Sequence, residues 1–135
     1  MMQRILLFAL LCLSCIGVAS CRSAPLLTPP PILLQEPRSD MHDAILRAMV
    51  HRGWRPTNDE PGKITAQVLV RSRHKATVDV LYTKDKVEFA YVSSENLDYR
   101  NEGGTQTIHK NYNSWVQLLR DDIEAELLLS KPSGT

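Results

Sequence analysis

The sequence predicts an α+β domain of two layers. Its order is α-β-β-β-α, a three-stranded antiparallel meander with both helices on one face. Three observations carry this. Residues 64–93 hold three runs in which apolar and polar side chains alternate with period two, the pattern of strands buried on one side. A stripe of apolar residues at helical spacing precedes these runs, and another follows them. One apolar sheet face and two apolar helix stripes are most simply buried against each other in two layers.

The first helix starts near Ser39 or Asp40, because Asp40 and Asp43 place carboxylates where free amides and the helix dipole favour them. Met41, Ala44, Ile45, Ala48, Met49 and Arg52 form its inward stripe, and Gly53 suits a left-handed stop. Trp54 leads into a short extended segment ended by Pro56, and residues 58–63, "NDEPGK", are a turn signal.

The strands are read at residues 64–72, 76–83 and 87–93. Their inward sets are Ile64, Ala66, Val68 and Val70; Ala76, Val78, Val80 and Tyr82; and Val87, Phe89 and Tyr91. A tip at Arg73, His74 and Lys75 pairs Ser72 with Ala76, Val70 with Val78 and Ala66 with Tyr82. A tip at Lys84 and Asp85 pairs Tyr82 with Val87 and Val80 with Phe89. Both registers keep the apolar sets on one side. Residues 93–107 are polar, contain Gly103 and Gly104, and read as a loop. The last helix runs from about 108 to 128, with Ile108, Tyr112, Trp115, Leu119 and Ile123 on one face. The domain spans residues 39–129, and residues 130–135 are a frayed tail.

The chain has 135 residues, with 16 basic and 15 acidic side chains and a net charge of +1. This balance argues against nucleic acid as a partner and gives no basic patch for an anionic membrane. The basic residues are scattered, and the one cluster, "RSRHK" at 71–75, reads as a solvated hairpin tip.

The N-terminus is of another kind. Arg4 precedes an apolar run at residues 5–19, which is shorter than the roughly 20 residues of a membrane-spanning helix. A charge, a short apolar core and then small residues is the order of a secretory signal. Here the run ends Val18-Ala19-Ser20-Cys21, which resembles the bacterial lipobox: an aliphatic residue, two small ones and an obligatory cysteine. The resemblance implies a signal peptide over residues 1–20, diacylglycerol on the Cys21 thiol, and usually a further acyl chain such as palmitate on the new amino group. Several acyl chains anchor stably where one binds marginally. Arg22 follows the cysteine, rather than the Asp that retains enteric lipoproteins at the inner membrane. The same resemblance therefore implies the outer membrane, facing the periplasm. Residues 21–38 carry five prolines and read as a semi-rigid spacer reaching on the order of 50 Å. The apolar Ile32, Leu33 and Leu34 are unusual in a spacer and bring the domain edge as near as residue 32.

Three motif strings, "PGKITA" (61–66), "VDVLYTKDKVEFAYVSSENLDY" (78–99) and "IHKNYNSWVQLL" (108–119), together resemble a family of small bacterial lipoproteins of unknown function. The pattern is PG-x-I-x-A, Y-x-x-S-x-N-L-x-Y and IH-x-x-YN-x-W, and it covers roughly residues 44–125. The resemblance implies a cell-envelope location and brings no catalytic residues.

The residues themselves point away from an enzyme. Ser93 or Ser94 with His109 and Asp98 lacks a G-x-S-x-G elbow. His42, His51, His74 and His109 lack metal-ligand spacing, and Cys12 and Cys15 fall inside the apolar run, so neither a metal nor another cofactor is implied. Asp121, Asp122, Glu124 and Glu126 read as a solvated helix face.

Two function classes remain. The first is a non-enzymatic module that contacts another envelope protein through the open sheet face, where Leu69, Leu81 and Val92 point outward and Leu69 and Leu81 lie side by side. The second is a binder of a small ligand or cell-wall fragment that uses Tyr91, Ser94, Asn96, Tyr99, His109, Tyr112 and Asn113, with Trp115 nearby. The bland alternative is that this cluster ties the loop to the helix by internal hydrogen bonds.

Overall fold

The alternating runs do form paired strands, and the chain around them contributes five more. The computed structural model describes residues 22–130. In chain order the elements are β1 (Ser23–Pro25), β2 (Ile32–Leu33), α1 (Met41–His51), β3 (Arg55–Glu60), β4 (Lys63–Val70), β5 (His74–Tyr82), β6 (Lys86–Glu95), β7 (Arg100–Glu102), β8 (Thr105–His109) and α2 (Lys110–Leu129). One antiparallel sheet has the order β2-β6-β5-β4-β3, and a smaller one has the order β1-β8-β7. The α+β class holds. A three-stranded meander with both helices on one face is too simple, since the meander gains a strand on each edge and a second sheet lies beside it.

The inward sets of the meander are the heart of the core. Ile64, Ala66 and Val68 of β4, Ala76, Val78 and Val80 of β5, and Val87 and Phe89 of β6 are all buried. They join Met41, Ala44, Ile45, Ala48 and Met49 of α1 and Tyr112, Val116, Leu119, Ile123 and Leu127 of α2 in one cluster. The helices run antiparallel, as the ion pairs Arg47–Glu126 and Arg52–Asp122 show. Arg52 is therefore outside the core rather than on its inward stripe. Trp115 is only partly buried, and Val116 takes the core position expected of it. Ile108 is buried but belongs to β8, which runs straight into α2.

The Lys84–Asp85 tip holds, with Tyr82 opposite Val87 and Val80 opposite Phe89. The first hairpin turns two residues earlier than the sequence suggests. Val70 faces His74, Val68 faces Ala76 and Ala66 faces Val78. The inward sets survive because the displacement is even. The turn puts Arg71 and Ser72 in the left-handed region, at φ 54° each, where neither side chain advertises it. Between Val78–Tyr91 and Thr77–Ser93 the register shifts, so Val92 is an extra residue on β6 and Ser94 comes round to the inner side.

Residues 93–107 are not a loop. β6 continues to Glu95, and β7 and β8 form a hairpin through Gly103 and Gly104, both at positive φ. β3 is a fully exposed edge strand. Pro56, an irregular register beyond it, and the charges of Arg55, Asp59 and Glu60 suit an edge that does not recruit further strands.

The spacer reading fails over residues 22–38. β1 pairs with β8, and β2 pairs with β6 through Ile32–Val87. Ile32 is buried, and Leu26, Leu27 and Leu34 pack against the core. These residues form a strap that crosses the domain, so the domain begins near residue 23 rather than 39. The signal segment 1–20, Cys21 and residues 131–135 lie outside the described residues.

Candidate functional site

The seven residues of the proposed ligand cluster are brought to one end of the molecule, where the tyrosine rings pack on one another and the polar groups bond mostly to residues outside the cluster. Three tyrosines form its centre. The Tyr91 ring stacks on Tyr99 with centroids 4.6 Å apart and meets Tyr112 edge-on at 5.6 Å, both favoured aromatic geometries. The bulge at Val92 brings Ser94 within 2.8 Å of the Tyr91 hydroxyl. Tyr99 Oη accepts from Gln106 Nε2 at 2.9 Å. Burial, with Tyr91 as neighbour, pushes the Tyr112 phenol well above its ordinary value. Burial also raises that of Tyr91, against the Ser94 hydrogen bond. Neither phenol is poised as an acid or base near neutrality.

The polar members are engaged too. His109 precedes α2, and its Nδ1 accepts from Asn111 N–H at 3.2 Å, which satisfies a free amide of the first turn. Its own amide donates to Leu97 C=O at 2.7 Å. Asn96, at φ 57°, donates from Nδ2 to Arg73 C=O at 2.8 Å and so ties the β4–β5 tip to the end of β6. Asn113 clamps the strap: its Oδ1 accepts from Leu27 N–H at 3.0 Å, and its Nδ2 donates to Pro25 C=O at 2.9 Å. These side-chain bonds run to the strap, to the β4–β5 tip and within residues 91–111, and none of them ties residues 93–107 to α2.

The outward residues of the meander are exposed, Leu69 at 58 %, Val92 at 46 % and Leu81 at 37 %. They do not form one patch. Leu69 lies opposite Lys75, while Leu81 lies opposite Lys63 and beside Glu88. Six rungs of β4 separate them, about 20 Å at the rise of a strand, so the side-by-side expectation fails. Between them stand Thr65 and Asp79, hydrogen-bonded to each other, while the pairs Lys75–Glu95 and Lys86–Glu88 flank Leu69 and Leu81 at the two ends.

Sequence reasoning missed the most heavily bonded polar group, Arg38. Its Nε and Nη2 bind Asp40 at 2.8 and 2.7 Å, Nη2 also reaches Ser130 Oγ, and Nη1 donates to the carbonyls of Leu127 and Ser130. All five guanidinium donors are used. The Arg38 hydrogen bonds hold the Asp40 carboxyl below the usual carboxylate range. Asp40 consequently makes no side-chain cap on α1. The group fastens the strap to the start of α1 and the end of α2, and its composition marks it as structural. Nothing in the local sequence signals it, because its partners are up to 92 residues away.

A cavity of about 400 Å³ lies between the helices, lined by Ala48, His51, Asp122 and Glu126 among others. Its carboxylates are already paired with Arg52 and Arg47, and the Arg52 hydrogen bond lowers the Asp122 pKa. Among the described residues no group of three or more histidine, cysteine or acidic side chains could hold a metal ion, and no helix is long and apolar enough to cross a membrane. Compared with known proteins, the chain matches no family model, no curated protein and no solved structure.

Proposed function

We propose that the protein is a lipid-anchored module of the cell envelope, held at the outer membrane and facing the periplasm, that acts by contacting another envelope protein and not by catalysis. The observation that carries this is the short apolar run ending in Val18-Ala19-Ser20-Cys21, with a folded domain starting directly after it. The motif resemblance to small bacterial lipoproteins supports the same placement. The contact falls to the exposed side of β4–β6, with Leu69 and Val92 as its apolar residues. The ligand-binding reading is weaker, because Tyr91, Ser94, Asn96, His109 and Asn113 each spend a polar atom on an internal bond.

Mass spectrometry of the native protein tests the anchor. It should find a diacylglycerol-modified Cys21 as the first residue, and Cys21→Ala should accumulate as an unprocessed or unanchored form. An unmodified terminus at any other residue overturns the reading. For the contact, a photo-reactive residue at Gln67 should cross-link to an envelope protein, and Leu69→Glu should abolish that adduct with no change in melting temperature. An unchanged adduct moves the contact off this face.

A further inference from the structure

The fold undoes the scatter of basic residues along the chain. Arg22 and Lys110, 88 positions apart in sequence, are bonded through Lys110 N–H and Arg22 C=O at 2.7 Å. One residue on, Ser23 pairs with His109, whose amide binds Leu97 C=O. Asn96, next to Leu97, is hydrogen-bonded to Arg73 C=O by its side chain and to His74 Nδ1 by its carbonyl. The β4–β5 tip, the start of α2 and the start of β1 therefore meet at one end. Arg22, Arg71, Arg73 and Lys110 are exposed there and make no ion pair among the described residues. Lys75 joins them and is paired with Glu95, and Asp98 follows Leu97 in the chain. Four exposed cations without an ion pair among the described residues thus gather at this end.

Two local rules are broken at this pole. α2 opens on a lysine with no acid in its first turn, so its positive dipole end adds to the charge instead of being offset. Arg71 holds a left-handed conformation that glycine would adopt without strain. Such local conflicts are expected where function demands them.

The pole also lies where the N-terminal chain enters. Arg22, at the pole, directly follows Cys21 in the sequence and precedes β1. Resting on the anchored reading above, we propose that this basic pole docks on the anionic phospholipid surface of the anchoring membrane. The acyl chains and the pole then act together: the anchor supplies residence, and contacts from Arg22, Arg71, Arg73 and Lys110 to lipid phosphates fix one orientation. The long axis of β4 and β5 then stands away from the membrane, with the Lys84–Asp85 tip at the far end.

The test uses the intact protein purified from its membrane and reconstituted in vesicles. An environment-sensitive dye is placed at Ser72→Cys on the pole or at Lys84→Cys at the far end, and a quencher is carried by the lipid. In phosphatidylethanolamine vesicles containing a quarter phosphatidylglycerol, the Ser72 dye should be quenched and the Lys84 dye should not. Arg71→Gln with Arg73→Gln should cut the contacted fraction on the order of tenfold, and high salt should do the same. Equal quenching of the Ser72 dye in neutral phosphatidylcholine vesicles would overturn the electrostatic docking, as would no quenching in either. The N-terminal mass of the same sample separates the two ideas. A lipidated protein with an unquenched tip refutes the pole alone, and a protein without lipid refutes the anchored reading and the docking with it.

Discussion

The meander and the strap are held to the same core by opposite means. In β4, β5 and β6 the apolar side chains alternate, and the backbone ladder does the rest. Remove any one side chain and the neighbours still specify the face. Residues 22–38 have only five paired positions on two short strands. Beyond Ile32 and the leucines on the core, they are held by polar side-chain bonds between distant residues: Asn113 to Pro25 and Leu27, Arg120 to Pro30, and the strap's own Arg38 to the end of α2. The first kind of attachment is periodic and local. The second is a set of single bonds between distant residues.

That difference decides what can be read from sequence. The inward sets of the meander and the Lys84–Asp85 tip are legible because period two repeats over several residues in each strand. The early turn at Arg71 and Ser72 is not, because both residue types disfavour the conformation they hold. Gly103 and Gly104 were a readable two-residue hairpin signal, obscured by the polarity of the flanking strands. The five prolines do exclude helix, but a polyproline-like chain can lie on a core as readily as leave it, and what settles which is contact with distant residues: the pairing with β8 and β6 and the bonds of Asn113, Arg120 and Arg38. The structure packs Tyr91 against Tyr99 and Tyr112, with Ser94 on the Tyr91 hydroxyl. That Ser94 turns to the Tyr91 hydroxyl depends on the bulge at Val92, which no pattern announces.

The largest effect should come from the meander. Phe89 is buried on β6 opposite Val80. Phe89→Ala should lower stability by about 3–5 kcal/mol, from lost transfer energy and the space left behind. Urea unfolding followed by circular dichroism measures it. A change below about 1 kcal/mol would mean that the meander, like the strap, is held by a few specific bonds and not by shared apolar contact.

Arg38 gives the strap's strongest attachment. Arg38→Met keeps the aliphatic stem and leaves the Asp40 carboxylate and the α2 carbonyls without a partner. The expected loss is about 1.5–3 kcal/mol, below that of a deeper pair because water reaches the edge of the group. The pH dependence identifies the cause. Asp40 is held below its ordinary pKa in the folded state, so its contribution is present above the unfolded carboxylate range and lost as pH falls through the folded value. Wild type should therefore lose its advantage over Arg38→Met between about pH 4 and more acidic conditions. A constant difference across that window would assign Arg38 to packing alone.

The smallest effect is the most diagnostic of a strap held by single bonds. Asn113 supplies an acceptor to Leu27 N–H and a donor to Pro25 C=O, and both are near enough to solvent for water to replace them in part. Asn113→Ala should therefore cost only about 1 kcal/mol globally. Locally it should do more, because Leu27 sits in the stretch between β1 and β2 with no ladder partner of its own. Amide exchange at Leu27 should accelerate well beyond what the global change allows, while exchange at Val78 and Val80 follows global stability. Asn113→Asp separates the two bonds. It keeps an acceptor for the Leu27 amide and loses the donor to Pro25, so Leu27 should stay protected. If both variants leave Leu27 exchanging as in wild type, the strap is fixed by Ile32 and the leucines packed on the core. Its attachment would then be of the same kind as the meander's, and the contrast between the two regions would reduce to length.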